Sequence, residues 1–220
     1  SDVCSSDLFG LFDTEAIFGT FDGRDTSAAP EIIGLLGKYD RAQGVGKLEY
    51  FHDGRTLPTV MPVGLLDGPG MDRFKRLTRD TGKYAFVPKF IVDEHAMSRE
   101  AKIRAAVDRV CPTKQIAGVH QANGQIEPLF TDKRTRRSSP WSELTASEVQ
   151  CVLFATTFVW ANLSDSVVFI DSPELFVGER GVLPLVEAVR TLGENNQFIM
   201  ATQSPALLGT VPPRQVIELP

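Results

Sequence analysis

Asp171 and Glu174 stand at the end of a short β-branched run, Ser166 to Asp171 (SVVFID), followed by Ser172 and Pro173. An acid in that position can cap the following turn through its own oxygens. It can also face a ligand, because ligands of open parallel sheets collect at the carboxyl ends of the strands. Thr202 ends the next apolar run, Phe198 to Thr202 (FIMAT), with Gln203 directly after it, and so both fall at the same edge. Thr145 and Glu148 have the T-x-x-E spacing of a capping box, in which hydroxyl and carboxylate satisfy the first N–H groups of a helix. The positive end of such a helix also attracts anions. Other chemistries have no matching pattern: His52, His95 and His120 are scattered, Asp93-Glu94-His95 has no HExxH partner, and no G-x-S-x-G nucleophile elbow is present.

These residues need elements to hold them. SVVFID reads as a core parallel strand. Pro184 to Leu192 reads as a helix with Leu185, Val186, Val189 and Leu192 on one side and Gly193 past its end, so strand, helix and FIMAT form a βαβ unit. Thr145 opens a buried helix running to about Asn162. Upstream, Leu48 to His52, Asp53-Gly54 and Arg55 to Val60 predict a hairpin. Leu66 to Gly70 (LDGPG) is a turn, and a mixed stretch continues to Ile91. Ser98 to Val110 predicts a helix capped by Ser98, stopped by Pro112, and apolar at Ile103, Ala106, Val107 and Val110. Ile116 to Val119, Asn123-Gly124 and Gln125 to Phe130 predict a second hairpin, and Val216 to Leu219 alternates like a closing strand.

Composition narrows the class. The 220 residues suffice for one or two domains with a core of their own. With 23 Lys and Arg against 28 Asp and Glu, a net charge of −5 argues against a broadly cationic nucleic-acid binder. The longest nearly apolar run, Cys151 to Leu163, is 13 residues, short of the roughly 20 that span a bilayer. Cys4, Cys111 and Cys151 are odd in number, widely spaced and without CxxC, which argues against a disulfide framework or cysteine zinc site and for a reducing, cytoplasmic setting. Ser1 to Leu8 (SDVCSSDL) lacks the basic and apolar regions of a signal peptide. It resembles translated sequencing-adapter read-through, is set aside as non-native, and leaves the expectation that the chain is the C-terminal part of a longer protein.

Three ordered segments carry a family resemblance. Leu144 to Gln150 (LTASEVQ) resembles the signature L-S-S-G-E-[KR]-Q, Val167 to Leu175 (VVFIDSPEL) the Walker B stretch h-h-h-h-D-E-P-E-L, and Ile199 to Leu208 (IMATQSPALL) the switch segment I-I-A-T-H-S-P-x-L-L. Together they look like the C-terminal lobe of AAA family ATPases of the ABC and structural-maintenance-of-chromosomes type. The resemblance implies an α/β fold: a P-loop NTPase-like lobe over 131–220, preceded over 9–130 by a β-rich region with a helical insertion. It implies ATP and Mg²⁺ as ligands, with Asp171 on the metal and the helix start at Thr145, Ser147 and Glu148 against a γ-phosphate presented by a second subunit, hence a homodimer. Gln203 stands where the family has a His, Ser147 where it has a Gly, and Ser172 where it has the Glu that polarises water. Glu174, matching the second acid, is the candidate substitute base.

No phosphate-binding loop is present, since Gly37-Lys38, Gly46-Lys47 and Gly82-Lys83 all lack the G-x-x-x-x-G-K-[ST] frame. In this family that loop lies near the parent's N-terminus. The implied function is ATP binding and hydrolysis by the intact parent, coupled to dimerisation or a partner's conformational change. The alternative is a pseudo-ATPase scaffold, or an interaction domain without turnover. Lys133, Arg134, Arg136 and Arg137 form the one basic cluster; related ATPases often act on DNA, and a solvated loop is the competing reading.

Overall fold

The computed structural model describes residues 47–56, 79, 81–122 and 125–217. Its order is β1 (Leu48–Phe51), α1 (Phe86–Ala96), α2 (Ala101–Val110), β2 (Lys114–Ala122), β3 (Gln125–Asp132), β4 (Ser138–Pro140), α3 (Ala146–Ala161), β5 (Val167–Asp171), α4 (Gly178–Arg190), β6 (Gln197–Ala201) and α5 (Pro205–Leu208). Among the described residues two three-stranded sheets result: a parallel one in the order β1-β5-β6 and an antiparallel one in the order β2-β3-β4. The class is α/β.

The parallel sheet forms around β5, whose Val168 and Ile170 are buried. It pairs with β1 from Leu48↔Val167 to Phe51↔Ile170, and with β6 from Val167↔Gln197 to Asp171↔Ala201. The strand-helix-strand unit β5-α4-β6 is therefore present. Asp53-Gly54 does turn, and β1 pairs in parallel with the distant β5; of the expected second arm, Arg55 to Val60, Arg55 and Thr56 form no strand and the rest lies outside the described residues. The sheet thus takes one strand from well upstream of residue 131.

α3 is apolar on nearly every side and is buried accordingly. Its start is fixed by the capping box: the Glu148 N–H donates to Thr145 Oγ1 (3.4 Å) and the Thr145 N–H to Glu148 Oε2 (2.9 Å). Its other end is left by Asn162 in a left-handed conformation (φ 49°). There the buried Lys47 donates through Nζ to the carbonyls of Ala161 (2.6 Å) and Asn162 (3.0 Å), a cation at the negative end of the helix dipole. Phe51 of β1 packs on Phe154 of α3 with ring centroids 4.6 Å apart. Ile103 and Val107 of α2, Ile116 of β2 and Phe130 of β3 join the same core.

Several boundaries differ from those expected. α2 begins at Ala101, and Ser98 is no cap; at φ 54° it lies in the bend after α1. Its expected apolar face, Ile103, Ala106, Val107 and Val110, is the buried one. α4 begins at Gly178, so Pro184 lies inside it, where the missing N–H forfeits the bond to the Arg180 carbonyl. Gly193 follows α4 at φ +68°, and an added Cβ would sit 2.0 Å from the Leu163 carbonyl oxygen, so glycine is required there. The β2-β3 hairpin is longer than its apolar core suggested, and its Asn123-Gly124 turn lies outside the described residues. Val216 and Ile217 form no strand, and the remainder of that segment is likewise outside. Among the described residues no helix is long and apolar enough to cross a membrane.

Candidate functional site

Asp171 ends β5 at the carboxyl edge of the parallel sheet. Its side chain is 15% exposed, so it is held by protein groups while still reaching solvent. Ser172 Oγ donates to Oδ1 at 3.1 Å and Tyr50 Oη to Oδ2 at 3.3 Å. Arg79 approaches Oδ2 at 3.8 Å, while its closer partner is Asp53 at 2.7 Å. Burial, followed by the Asp171 charge, pushes the Tyr50 phenol far above its ordinary value, which keeps the proton this hydrogen bond needs. At Asp53 burial acts to raise the pKa, but the hydrogen bond and charge of Arg79 outweigh it and hold the carboxyl below its ordinary value.

The backbone behind the carboxylate is clamped. Arg55, 1% exposed, donates through Nη1 to the Asp171 carbonyl (2.5 Å) and through Nη2 to the Ser172 carbonyl (2.9 Å). Its Nε donates to Gln150 Oε1 (2.8 Å), and Gln150 Nε2 returns a bond to the Arg55 carbonyl (2.8 Å). The planar guanidinium matches this set of acceptors. It holds Ser172 in a left-handed conformation (φ 47°), which costs a non-glycine residue about 1–2 kcal/mol. The Ser172 N–H also bonds the Ala201 carbonyl of β6 (2.8 Å), so the tip of β5 is tied on both sides.

Glu174 turns toward β6. Its Oε2 accepts from Thr202 Oγ1 (2.7 Å) and its Oε1 from the Gln203 N–H (3.0 Å). Both oxygens hold the chain leaving β6 instead of pointing to open solvent. Ser204 extends the tie by donating to Glu179 (2.8 Å) and accepting the Leu207 N–H at the start of α5. Asp171, Ser172, Glu174 and Gln203 therefore lie along one edge, joined through the ends of β5 and β6.

Thr145, Ser147 and Glu148 lie at the start of α3. Thr145 is exposed and its Oγ1 is 3.3 Å from Ser147 Oγ. Glu148 is 8% exposed and accepts from Thr113 Oγ1 at 2.8 Å as well as from Thr145. Its carboxylate is thus spent on structure, while the hydroxyls of Thr145 and Ser147 face outward. Among the described residues no hydrogen bond or ion pair joins this group directly to Asp171; the connection runs through Gln150 and Arg55. In the basic cluster, Lys133 is tied to Asp108 and to the carbonyls of Asp108 and Cys111, and Arg134, Arg136 and Arg137 are exposed.

Among the described residues no group of three or more His, Cys, Asp or Glu side chains is arranged to hold a metal ion. Asp171 does fit one kind of cation. Its partly exposed carboxylate and the Ser172 hydroxyl set hard oxygens 3.1 Å apart, which suits Mg²⁺ carried by one carboxylate plus phosphates and waters. Tyr50, Arg55, Arg79 and Asp53 are the site residues that motif reasoning passes over, since each comes from far upstream. Gln150 alone left a signal, as the last residue of LTASEVQ. Compared with protein-family models the chain matches none, and a search of curated proteins likewise returned no match.

Proposed function

We propose that the chain is the C-terminal lobe of an ATPase similar to the ABC and structural-maintenance-of-chromosomes type, binding ATP with Mg²⁺ and coupling hydrolysis to dimerisation or to a partner's conformational change. One observation carries the reading. A part-exposed carboxylate, Asp171, ends a central parallel strand, and Arg55 braces that strand end against α3, the helix that opens with the signature-like segment. Asp171, with the Ser172 hydroxyl beside it, would hold the ion, which supplies positive charge to the phosphate oxygens when bound. Tyr50 and Ser172 orient the carboxylate from two sides. The hydroxyls of Thr145 and Ser147 and the free N–H groups at the start of α3 suit a phosphate presented by a second copy of the chain. Gln203, its backbone fixed by Glu174, can donate or accept a hydrogen bond at the phosphate but carries no charge.

A second reading, nucleotide binding without turnover, is favoured by Ser172 in the place of the base and by the engagement of both Glu174 oxygens. A positioned base contributes about 10²- to 10⁴-fold in rate. The test is ATP binding and turnover by the gene product together with any coding sequence preceding residue 9, where G-x-x-x-x-G-K-[ST] is expected. Mg²⁺-dependent turnover that Asp171→Ala abolishes supports the ATPase. Tight Mg²⁺-dependent binding without turnover selects the scaffold, and absence of both binding and loop overturns both readings.

A further inference from the structure

Two carboxylates share one guanidinium at the carboxyl edge of the parallel sheet. Arg79 Nη2 lies 2.7 Å from Asp53 Oδ1 and 3.8 Å from Asp171 Oδ2. The three side chains come from separate stretches: Asp53 from the turn after β1, Arg79 from the segment before α1, and Asp171 from the end of β5. Asp53 is oriented for its partner, because the Gly54 N–H donates to the same Oδ1 at 2.9 Å. Asp171 is oriented by neutral donors, Ser172 Oγ on Oδ1 and Tyr50 Oη on Oδ2. The neighbouring Arg55 turns its Nη atoms to backbone carbonyls, those of His52, Asp171 and Ser172 among them. Among the described residues Arg79 is therefore the one side-chain cation paired with the Asp171 carboxylate.

Distance and exposure decide what this shared cation can do. A carboxylate as covered as Asp171, 15% exposed, is costly to leave without an opposite charge. Arg79 supplies that charge, but at 3.8 Å and with its own side chain 37% exposed it holds Asp171 as a weak surface pair that another cation can replace. Its contact with Asp53 is shorter and persists without Asp171. Two carboxylates against one guanidinium also leave the group with a net negative charge, which attracts a further cation.

We propose that Arg79 is an exchangeable counter-cation that competes with the divalent ion for Asp171, and that Asp53 is the carboxylate onto which its guanidinium withdraws when the ion binds. The inference rests on the reading that Asp171 holds Mg²⁺. Arg79 neutralises Asp171 while no ion is present, so the strand end is never left with a bare, covered charge. It also keeps the affinity of Asp171 for a lone ion low, which favours an ion arriving together with phosphate. Asp53 acts through Arg79 and is a positioning residue. The two flanking side chains thus act in opposite directions: Arg79 weakens ion binding at Asp171, and Asp53 strengthens it by drawing Arg79 away.

The test measures Mn²⁺ binding, Mn²⁺ sharing the oxygen preference of Mg²⁺, by the 220-residue chain from loss of the free-ion electron paramagnetic resonance signal. Asp171→Asn defines the part of the binding that belongs to Asp171. That part should tighten by about tenfold in Arg79→Gln, the effect of removing a unit charge a few ångströms from a divalent ion in largely aqueous surroundings. Arg79→Lys keeps the charge and should stay close to the parent chain. Asp53→Asn should weaken binding, and Arg79→Gln should then tighten it more in the Asp53→Asn background than in the parent, since the two side chains are coupled. Equal effects in the two backgrounds would overturn the withdrawal onto Asp53. Binding that Asp171→Asn removes but Arg79→Gln leaves unchanged or weakens overturns the proposal and leaves the ion at Asp171. Binding unaltered by Asp171→Asn, or absent from every protein, overturns the placement of the ion and the proposal with it. Should Arg79→Gln fail to fold, Asp53→Asn decides, and unchanged or tighter binding there overturns the proposal.

Discussion

Arg55 and Gln150 bind each other twice, Arg55 Nε to Gln150 Oε1 and Gln150 Nε2 to the Arg55 carbonyl, each at 2.8 Å. The pair joins the loop after β1 to α3, and the rest of the guanidinium holds the turn at the end of β5. Burial lowers the Arg55 pKa from its ordinary value, with nearby Tyr84 and Asp171 acting in the opposite direction. Its guanidinium also lies over an aromatic ring, the central carbon 5.4 Å from the centre of Phe154.

Arg55→Ala strands two strand-end carbonyls and the Gln150 amide at once, and a buried polar group left without its partner costs about 1–3 kcal/mol. A loss of roughly 3 kcal/mol or more is expected from urea unfolding. The Arg55→Ala, Gln150→Ala double mutant should then be less unstable than the sum of its singles, by about 0.5–3 kcal/mol. Strict additivity would mean that the two side chains do not act as a unit.

Thr145→Ala removes the oxygen that accepts the Glu148 N–H. Loss of such a cap costs about 1 kcal/mol, and Thr145→Ser should recover most of it. The measurement is the urea midpoint of the three proteins side by side. If Ser is no better than Ala, the hydroxyl does not anchor α3.

Gly193→Ala would set a methyl 2.0 Å from the Leu163 carbonyl oxygen at a backbone φ of +68°. Both the left-handed backbone and the contact are unfavourable, together by about 2 kcal/mol or more. Thermal melting should show a clear drop, and an unchanged midpoint would contradict this close approach.

Asp132 Oδ1 accepts from the N–H groups of Arg134 (3.0 Å) and Thr135 (2.7 Å) and from Thr135 Oγ1 (3.0 Å). The bond from the Thr135 N–H is the leading reason its pKa falls from 3.8 to about 2. Between those values the unfolded chain binds more protons than the folded one, so stability rises with pH there. The contribution is complete above about pH 4 and fades as pH falls toward 2. Asp132→Asn should flatten the acid limb of stability against pH, read from urea midpoints across that window.

What local pattern could reveal depended on where the determining contacts lie. α3 was legible because its signals are adjacent: a T-x-x-E start and a long apolar run. β5 was legible as a β-branched run and β6 as a short apolar one, on either side of a helix. α1 was not, since Pro88 in its first turn, where proline is tolerated, and a mixed composition hide it. The pairing of β1 with β5 was not legible because Asp53-Gly54 points to a local return, whereas this partner lies more than a hundred residues away, with Lys47 N–H on Ser166 Oγ at a separation of 119. The same distance explains the site. Asp171 stood out at the end of its strand, but Tyr50, Arg55 and Arg79 reach it from a segment that no local spacing connects to it.

That remote pairing bears on how the molecule assembles. The β2-β3 hairpin and its neighbours close over short spans, and α3 can start from its own cap. β1, by contrast, carries Glu49 and follows directly on Lys47, both fully enclosed in the finished protein, and its partner β5 comes much later in the chain. Ring closure over so many residues is entropically costly and slow. During vectorial synthesis the first strand is therefore made long before the second that covers it, and docking of the parallel sheet is the long-range closure that the local helices and the hairpin do not face.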